Sequence, residues 1–158
     1  MFEKVGKTIV RILEAYCAEA NKFEDTPANA IAIAVEVQEI DGPGEGAWTG
    51  EVSDRYGIGN AAGKTQTEMT CQSLISTGWD CGMTAEALVN FVEQAHHIED
   101  YEAINNLLAS MAGIETTATI AETKKGNLIV KYIGGGSWKP KRLVKRATPG
   151  GDVGDAFA

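Results

Sequence analysis

The sequence is poor in cysteine and histidine, and neither is arranged to hold a metal. The three cysteines, Cys17, Cys71 and Cys81, are an odd number without the spacing of a disulfide framework. We therefore expect free thiols in a reducing compartment. No Cys-x-x-Cys pair is present. His96 and His97 are adjacent, so on a helix they would point about 100° apart and could not share a ligand. We predict no metal and no cofactor.

Long apolar runs and catalytic motifs are also missing. Charged residues interrupt the first ten residues, MFEKVGKTIV, which excludes an ordinary signal peptide. No apolar run approaches the roughly 20 residues that a membrane helix needs. The serines lack a nucleophile motif, and the carboxylates follow no recognised catalytic pattern. We expect a cytoplasmic protein that does not bind membranes and is not an enzyme, with no catalytic residues.

A glycine-rich loop at residues 57–63 does not have the spacing of a phosphate-binding loop. That motif needs a glycine at position 58, where this chain has Ile58. The dinucleotide-binding pattern fails as well, because its last glycine would come one residue too late. We interpret the loop as a flexible connection before a helix. Arg55 and Lys64, on either side of it, could still contact a nucleic-acid backbone.

The charge of the chain is strongly segregated. Residues 1–123 carry six basic and 20 acidic residues, a net charge of −14, within a chain whose total is −8. Residues 124–146 contribute +8 without one acidic residue, and the last twelve contribute −2. Such a cluster is typical of a segment that binds a polyanion, although a solvated segment without a partner is the alternative. Its members are Lys124, Lys125, Lys131, Lys139, Lys141, Arg142, Lys145 and Arg146.

Hydrophobic periodicity predicts five strands and three helices. The strands are expected at residues 5–20, 30–40, 48–55, 114–123 and 128–133. A helix is expected at 64–77, ended by Gly78, with two more capped by Thr84 and Asp100. Residues 124–127 predict a hairpin turn.

This order favours a mainly β fold with helices (α+β). We expect an OB-fold-like five-stranded barrel with a helical insertion, residues 83–113, between strands 3 and 4. A five-stranded meander packed on helices is the alternative. The length of 158 residues and the 44% hydrophobic content fit one domain with appendages. The predicted division is an OB-like domain at 1–133, a basic arm at 134–146 and a flexible acidic tail at 147–158.

Aromatic residues beside lysines suggest where a single strand could stack. Bases stack on exposed rings, and lysines bind phosphates without reading sequence. Trp48 could serve this way or could equally be a core residue. The candidate nucleic-acid-binding residues outside the basic cluster are Trp48, Arg55, Tyr56, Lys64, Tyr132 and Trp138.

The C-terminal tail carries Asp152, Asp155 and Phe157 among glycines. Two carboxylates beside an apolar ring could form a small docking peptide, and a frayed end is the alternative. These residues resemble the tail of bacterial and phage single-stranded DNA-binding proteins, which join an OB-fold to an acidic tail ending in or near Phe. Here Ala158 follows the Phe, and Ala156 stands where proline is usual.

The body is similar to small phage proteins of the same type. The likeness covers about two-thirds of the chain, through WTGEVS at 48–53, KTQTE at 64–68, QSLISTGWD at 72–80 and TATIAETKKG at 117–126. It implies binding of single-stranded DNA in phage replication or recombination, in the host cytoplasm. The tail would then recruit replication or recombination proteins or compete with DNA for the basic segment.

The sequence also supports one alternative to this interpretation and one additional hypothesis. The −14 body could instead be an acidic protein–protein interaction module, such as a phage inhibitor or a DNA mimic. The apolar stripes of the helical insertion also suggest a homo-oligomer as a further hypothesis.

Overall fold

The computed structural model describes residues 1–58 and 62–134. Five antiparallel strands form one sheet in the order β3-β2-β1-β4-β5. The strands are β1 (Gly6–Glu19), β2 (Ile31–Glu39), β3 (Glu45–Val52), β4 (Glu115–Glu122) and β5 (Leu128–Ile133). Three helices, α1 (Gln66–Ser76), α2 (Ala85–His97) and α3 (Tyr101–Leu108), lie between β3 and β4, and a 3-10 turn, Ala109–Met111, follows α3.

The sheet curls into a nearly closed barrel. Its two outermost strands, β3 and β5, contact each other. Gly46 on β3 lies at this junction, where a Cβ atom would be in ordinary contact with Val130 on β5, at 3.6 Å. A five-stranded antiparallel barrel with helices between the third and fourth strands confirms the expected OB-fold-like architecture. The meander alternative is wrong, because a meander would keep the strands in sequence order across the sheet.

β1 is long because it pairs with two different strands. Residues 6–11 pair with β4, and residues 10–19 pair with β2. The register with β2 shifts between Ile12 and Glu14, so Leu13 is an extra residue and is 43% exposed. Such a bulge bends the strand and increases its twist, which lets one strand serve both halves of the barrel.

The observed elements follow the predicted ones closely, with one shift. β3 begins and ends three residues earlier than expected, because Glu45 already pairs with Gln38 on β2. Thr65 and Glu68 form a capping box that starts α1, and Thr84 and Asp100 cap α2 and α3 as predicted. The predicted stop at Gly78 is also confirmed, by its φ of 93°.

The helices are fastened to the barrel by side-chain hydrogen bonds as well as by apolar packing. On α1, Thr70 donates to the carbonyl of Glu51 on β3 at 2.7 Å. On α3, the Oδ1 of Asn105 accepts from the backbone N–H of Cys17 on β1 at 2.7 Å. Fully buried Leu74 and apolar residues of α2 and α3 complete one core with the inner faces of the strands. None of the helices within residues 1–58 and 62–134 has the length and apolar character that would let it cross a membrane.

We expect Gly50→Ala to destabilise the barrel at its contact with α1. A Cβ atom at this position would lie 2.5 Å from the Trp48 ring and 2.6 Å from Oγ1 of Thr70. Overpacking of this kind costs about 1–3 kcal/mol. Thermal and urea unfolding measure the loss. Thr49→Ala, at the neighbouring exposed position, is the control and should stay within about 0.5 kcal/mol of the wild type. Equal stability of the two variants would contradict the close approach of α1.

Candidate nucleic-acid interface

A bulge in β5 places a lysine and a tyrosine side by side on the outside of the barrel. Thr119 pairs with Tyr132, but Ile120 pairs with Val130, so Lys131 is the extra residue. Strict alternation would turn either Lys131 or Tyr132 inward, whereas the bulge leaves both exposed. The ammonium of Lys131 lies 5.4 Å from the centroid of the Tyr132 ring, within cation–π range.

This pair continues across neighbouring strands and into the β4–β5 turn. Lys7 on β1 pairs with Thr119 on β4, which in turn pairs with Tyr132, so the three residues form one row on the outer face. Lys124 and Lys125 are exposed in the turn that follows β4. We call the set of exposed residues at this edge the lysine–tyrosine strip. Its members are Lys7, Lys124, Lys125, Lys131 and Tyr132.

The structure corrects one predicted contact residue. Trp48 is only 6% exposed and belongs to the hydrophobic core. A base needs an accessible ring face, so Trp48 cannot stack with DNA in this conformation. Of the two interpretations that the sequence allowed, the core residue is the one observed. The cause is the register of β3, in which Trp48 faces inward opposite Val35.

Two other predicted cations already have partners within the protein. Arg55 donates from Nε and Nη2 to the two carboxylate oxygens of Glu51, each at 2.8 Å. Lys64 donates to Oε1 of Gln72 at 3.3 Å. Arg55 is therefore neutralised by a bidentate ion pair, which makes it a weak attractor of phosphate.

Tyr56 remains available at the foot of the glycine-rich loop. Its ring is 63% exposed. A β-bridge to Thr65 and a 2.8 Å hydrogen bond from Gly57 N–H to the carbonyl of Lys64 close the loop. Tyr56 therefore lies close to the backbone of Lys64, although the loop residues 59–61 themselves are outside the described residues.

Sequence analysis did not predict two exposed residues of interest, Lys7 and Phe23. Lys7 gives no local signal, because only the pairing of β1 with β4 brings it beside Tyr132. Phe23, in the β1–β2 loop, is 67% exposed and follows Lys22. Thr26 holds this turn by accepting from the Phe23 N–H at 3.0 Å. A lysine next to an aromatic residue between two predicted strands was the available signal.

The outer face of β2, β3 and the second half of β1 is acidic. It carries Glu14 and Glu36, which pair directly across β1 and β2, and Glu45 at the start of β3. β2 and β3 contain no lysine or arginine. Tyr16 donates to Glu36 at 2.5 Å, and this hydrogen bond is the main cause that raises the pKa of Tyr16. OB-folds commonly bind oligonucleotides on the β2–β3 face, but here that face would repel phosphate.

Burial suppresses the ionisation of two of the three cysteines, Cys17 and Cys71. Burial raises the pKa of Cys17 to about 11. Burial, assisted by the charge of Glu93, raises that of Cys71 to about 12. Both thiols are therefore protonated at neutral pH and are weak nucleophiles. Across the part of the chain that the structure describes, no three His, Cys, Asp or Glu side chains are grouped to hold a metal ion.

The remaining predicted site residues lie outside the described residues. The basic arm apart from Gly134, and the whole acidic tail, fall in residues 135–158. The residues concerned are Trp138, Lys139, Lys141, Arg142, Lys145, Arg146, Asp152, Asp155 and Phe157.

The Glu51–Arg55 pair should contribute stability that depends on pH. Burial opposes ionisation of Glu51, but hydrogen bonds from Arg55 and Ser53 outweigh it and lower the pKa below its ordinary 4.5. A lowered pKa gives stability that is present above the ordinary value and lost as pH falls through the lowered one. We expect Arg55→Ala to cost about 1 kcal/mol at neutral pH and progressively less as the pH falls through the lowered pKa of Glu51. Chemical unfolding across a pH series measures this difference.

Arg11→Ala is the matched control for that experiment. Arg11 pairs with Glu115 through a single contact of 3.1 Å, and its side chain is 44% exposed. An exposed single contact is worth little, so its removal should cost less at neutral pH than the removal of Arg55. An equal cost for the two variants would show that the bidentate geometry adds nothing.

Within the described residues, exposed lysines and an exposed ring lie together at the lysine–tyrosine strip, whereas Phe23 and Tyr56 are exposed elsewhere and β2 and β3 carry no basic residue. The strip combines four lysines with one accessible tyrosine ring on a barrel. This arrangement can attract a phosphate backbone and stack a base. No protein-family model, curated protein or solved structure matches this chain.

Proposed function

We propose that this chain is a single-stranded DNA-binding protein that acts without sequence specificity in phage DNA replication or recombination. The observation that carries the proposal is the β5 bulge, which exposes Lys131 and Tyr132 together on an OB-fold-like barrel. The bulge turns a cation and a ring outward together. It gives a single strand one phosphate contact and one stacking surface in adjacent positions.

The lysines of the strip would supply most of the affinity within the described residues. Each phosphate that a lysine neutralises releases counterions, so binding weakens as salt rises, by a slope of about 0.7 per contact for single strands. Lys7 and Lys131 lie on one outer face, and Lys124 and Lys125 extend it at the turn. Tyr132, 57% exposed, would stack one base whatever its identity.

The C-terminal residues would add to this surface from outside the described part of the chain. Five basic residues at 139–146 and Trp138 follow β5 directly in sequence. Their charge would increase affinity through further phosphate contacts. Asp152, Asp155 and Phe157 would recruit replication or recombination proteins or compete with DNA for the basic residues. Such a protein would work in the host cytoplasm.

An acidic protein–protein interaction module is the second candidate, and one observation favours it. The outer face formed by β1, β2 and β3 presents Glu14, Glu36 and Glu45 without a basic residue on β2 or β3. A row of carboxylates on a rigid sheet could imitate a phosphate backbone and occupy a DNA-binding partner. This face, rather than the strip, would then be the active surface.

Removing the strip lysines should weaken DNA binding and flatten its salt dependence. For the triple variant Lys124→Ala, Lys125→Ala, Lys131→Ala, we expect the slope of log affinity against log salt to fall by about 2. Tyr132→Ala should weaken binding by roughly tenfold, because one stacked base is lost. Fluorescence anisotropy with labelled oligo-dT measures both. Lys64→Ala, whose ammonium already binds Gln72, is the control and should change little.

Two results of that experiment would contradict the proposal. The first is no binding by the wild type at low salt with micromolar protein. The second is binding that hardly responds to salt, which would exclude phosphate contacts as its source. Reversing the charges of Lys139, Lys141, Arg142, Lys145 and Arg146 extends the test to the C-terminal segment, where DNA affinity should also fall.

Neutralising the acidic face separates the two candidate functions. In the triple variant Glu14→Gln, Glu36→Gln, Glu45→Gln, three repulsive charges are removed and the strip is left intact. We expect oligo-dT affinity to stay equal or to rise, because the negative potential near the strand decreases. If the acidic face were the active surface, the same variant would abolish binding of the protein partner. A loss of oligo-dT affinity on neutralisation would contradict the proposed role of the strip.

A further inference from the structure

A cleft of about 520 Å³ lies where β1 and β2 meet α3, beside the β1–β2 loop. Three alanines, Ala18, Ala20 and Ala30, line it, and we refer to them as its floor; Cys17, Glu19 and Ile31 line it as well. Ala20 and Ala30 are 7% and 5% exposed. We call it the alanine cleft.

The helical insertion supplies the wall of the cleft. Tyr101, at the first position of α3, and Asn105, one turn later, both line it. The Oδ1 of Asn105 accepts from Cys17 N–H at 2.7 Å, which fixes the orientation of the amide. Its Nδ2 has no hydrogen-bond partner among residues 1–58 and 62–134. The cleft therefore offers an aromatic ring and an unused donor on an apolar floor.

The rim of the cleft carries an exposed lysine and aromatic residue. Lys22 lines the cleft, and the following Phe23 is 67% exposed. Glu19 also lines the cleft, and Glu24 and Asp25 follow in the loop, so the net charge here is negative. Attraction of phosphate cannot dominate at this end of the barrel. A ligand here would gain its binding energy from ring contact and hydrogen bonding.

We propose that the alanine cleft holds one base of a bound single strand of DNA, an inference that rests on the proposed function. A flat base would lie on the alanine floor against the Tyr101 ring, and Asn105 Nδ2 would donate to it. Every base presents a carbonyl oxygen or ring nitrogen as an acceptor, so this contact would not select sequence. The helical insertion then has a role, since α3 completes a second DNA contact that a bare barrel would lack.

The position of the cleft makes it separable from the strip. The cleft is at the C-terminal end of β1, whereas the strip begins at Lys7 near its N-terminal end. The strip acts through phosphates and the cleft through a base. Variants in the cleft should therefore lower affinity without changing the salt dependence, which only loss of phosphate contacts can flatten.

Ala18→Leu fills the cleft and tests the inference. Ala18 is partly exposed, so a leucine there enters the cleft rather than the core. With oligo-dT of about 15 nucleotides, within the range that one OB-fold covers, we expect roughly tenfold weaker binding with an unchanged salt slope. Ala47→Leu is the matched control, because Ala47 is exposed on β3 and does not line the cleft. Its affinity should equal that of the wild type.

Asn105→Asp is the second variant, and we chose it because it should preserve the fold. Aspartate keeps an oxygen to accept from Cys17 N–H, but it replaces the Nδ2 donor with a second acceptor and adds a negative charge, and both changes disfavour DNA. Affinity for oligo-dT should fall by several-fold, while thermal unfolding at neutral pH remains close to that of the wild type. Normal affinity in this variant would show that the proposed hydrogen bond to the base is not formed.

The outcomes distinguish the cleft from the proposed function as a whole. If the wild type binds oligo-dT, the strip variants weaken binding and Ala18→Leu does not, the cleft inference is wrong and the proposed function stands. If Ala18→Leu flattens the salt slope, its effect arises from phosphate contacts, and the inference is again wrong. If the wild type binds no single-stranded DNA, both are wrong.

Discussion

β1 is hydrogen-bonded along both edges, to β4 over residues 6–11 and to β2 over residues 10–19, and the bulge at Leu13 bends it. A straight strand would hold both partners in one flat sheet. The bend turns the sheet upon itself until β3 and β5 meet, which creates an inside for the core and an outside for ligands. The helices can then pack against the barrel, and α3 reaches β1 where the alanine cleft opens.

The closed form also explains how the chain separates charges of opposite sign. The acidic outer face belongs to β1, β2 and β3, and the strip belongs to the first half of β1 with β4 and β5. The usual OB-fold binding face is acidic here, so a polyanion would be directed to the strip, and a basic partner to the opposite surface.

Much of the fold was predictable, because its signals are local. Alternation marked the strands, Thr84 and Asp100 marked helix starts, and the hairpin turn was recognisable from its glycine. The site was less predictable. Trp48 is a residue type that can stack on a base, but it lies on the inward-facing side of β3 and is buried. Lys7 joins Tyr132 only through pairing across more than a hundred residues, which no local pattern reports.

The amino-acid sequence by itself determined the element order and the concentration of basic charge after residue 123, because each depends on neighbours in the chain. The element order in turn predicted the OB-fold-like barrel. Tertiary structure alone decided which of those residues face outward. Two bulges, at Leu13 and Lys131, shift the parity of their strands by one residue, and a one-residue shift exchanges the inner and outer faces. Contacts between separate segments of the chain produce three features. They are the exposure of Tyr132 beside Lys131, the burial of Trp48 and the cleft beside α3.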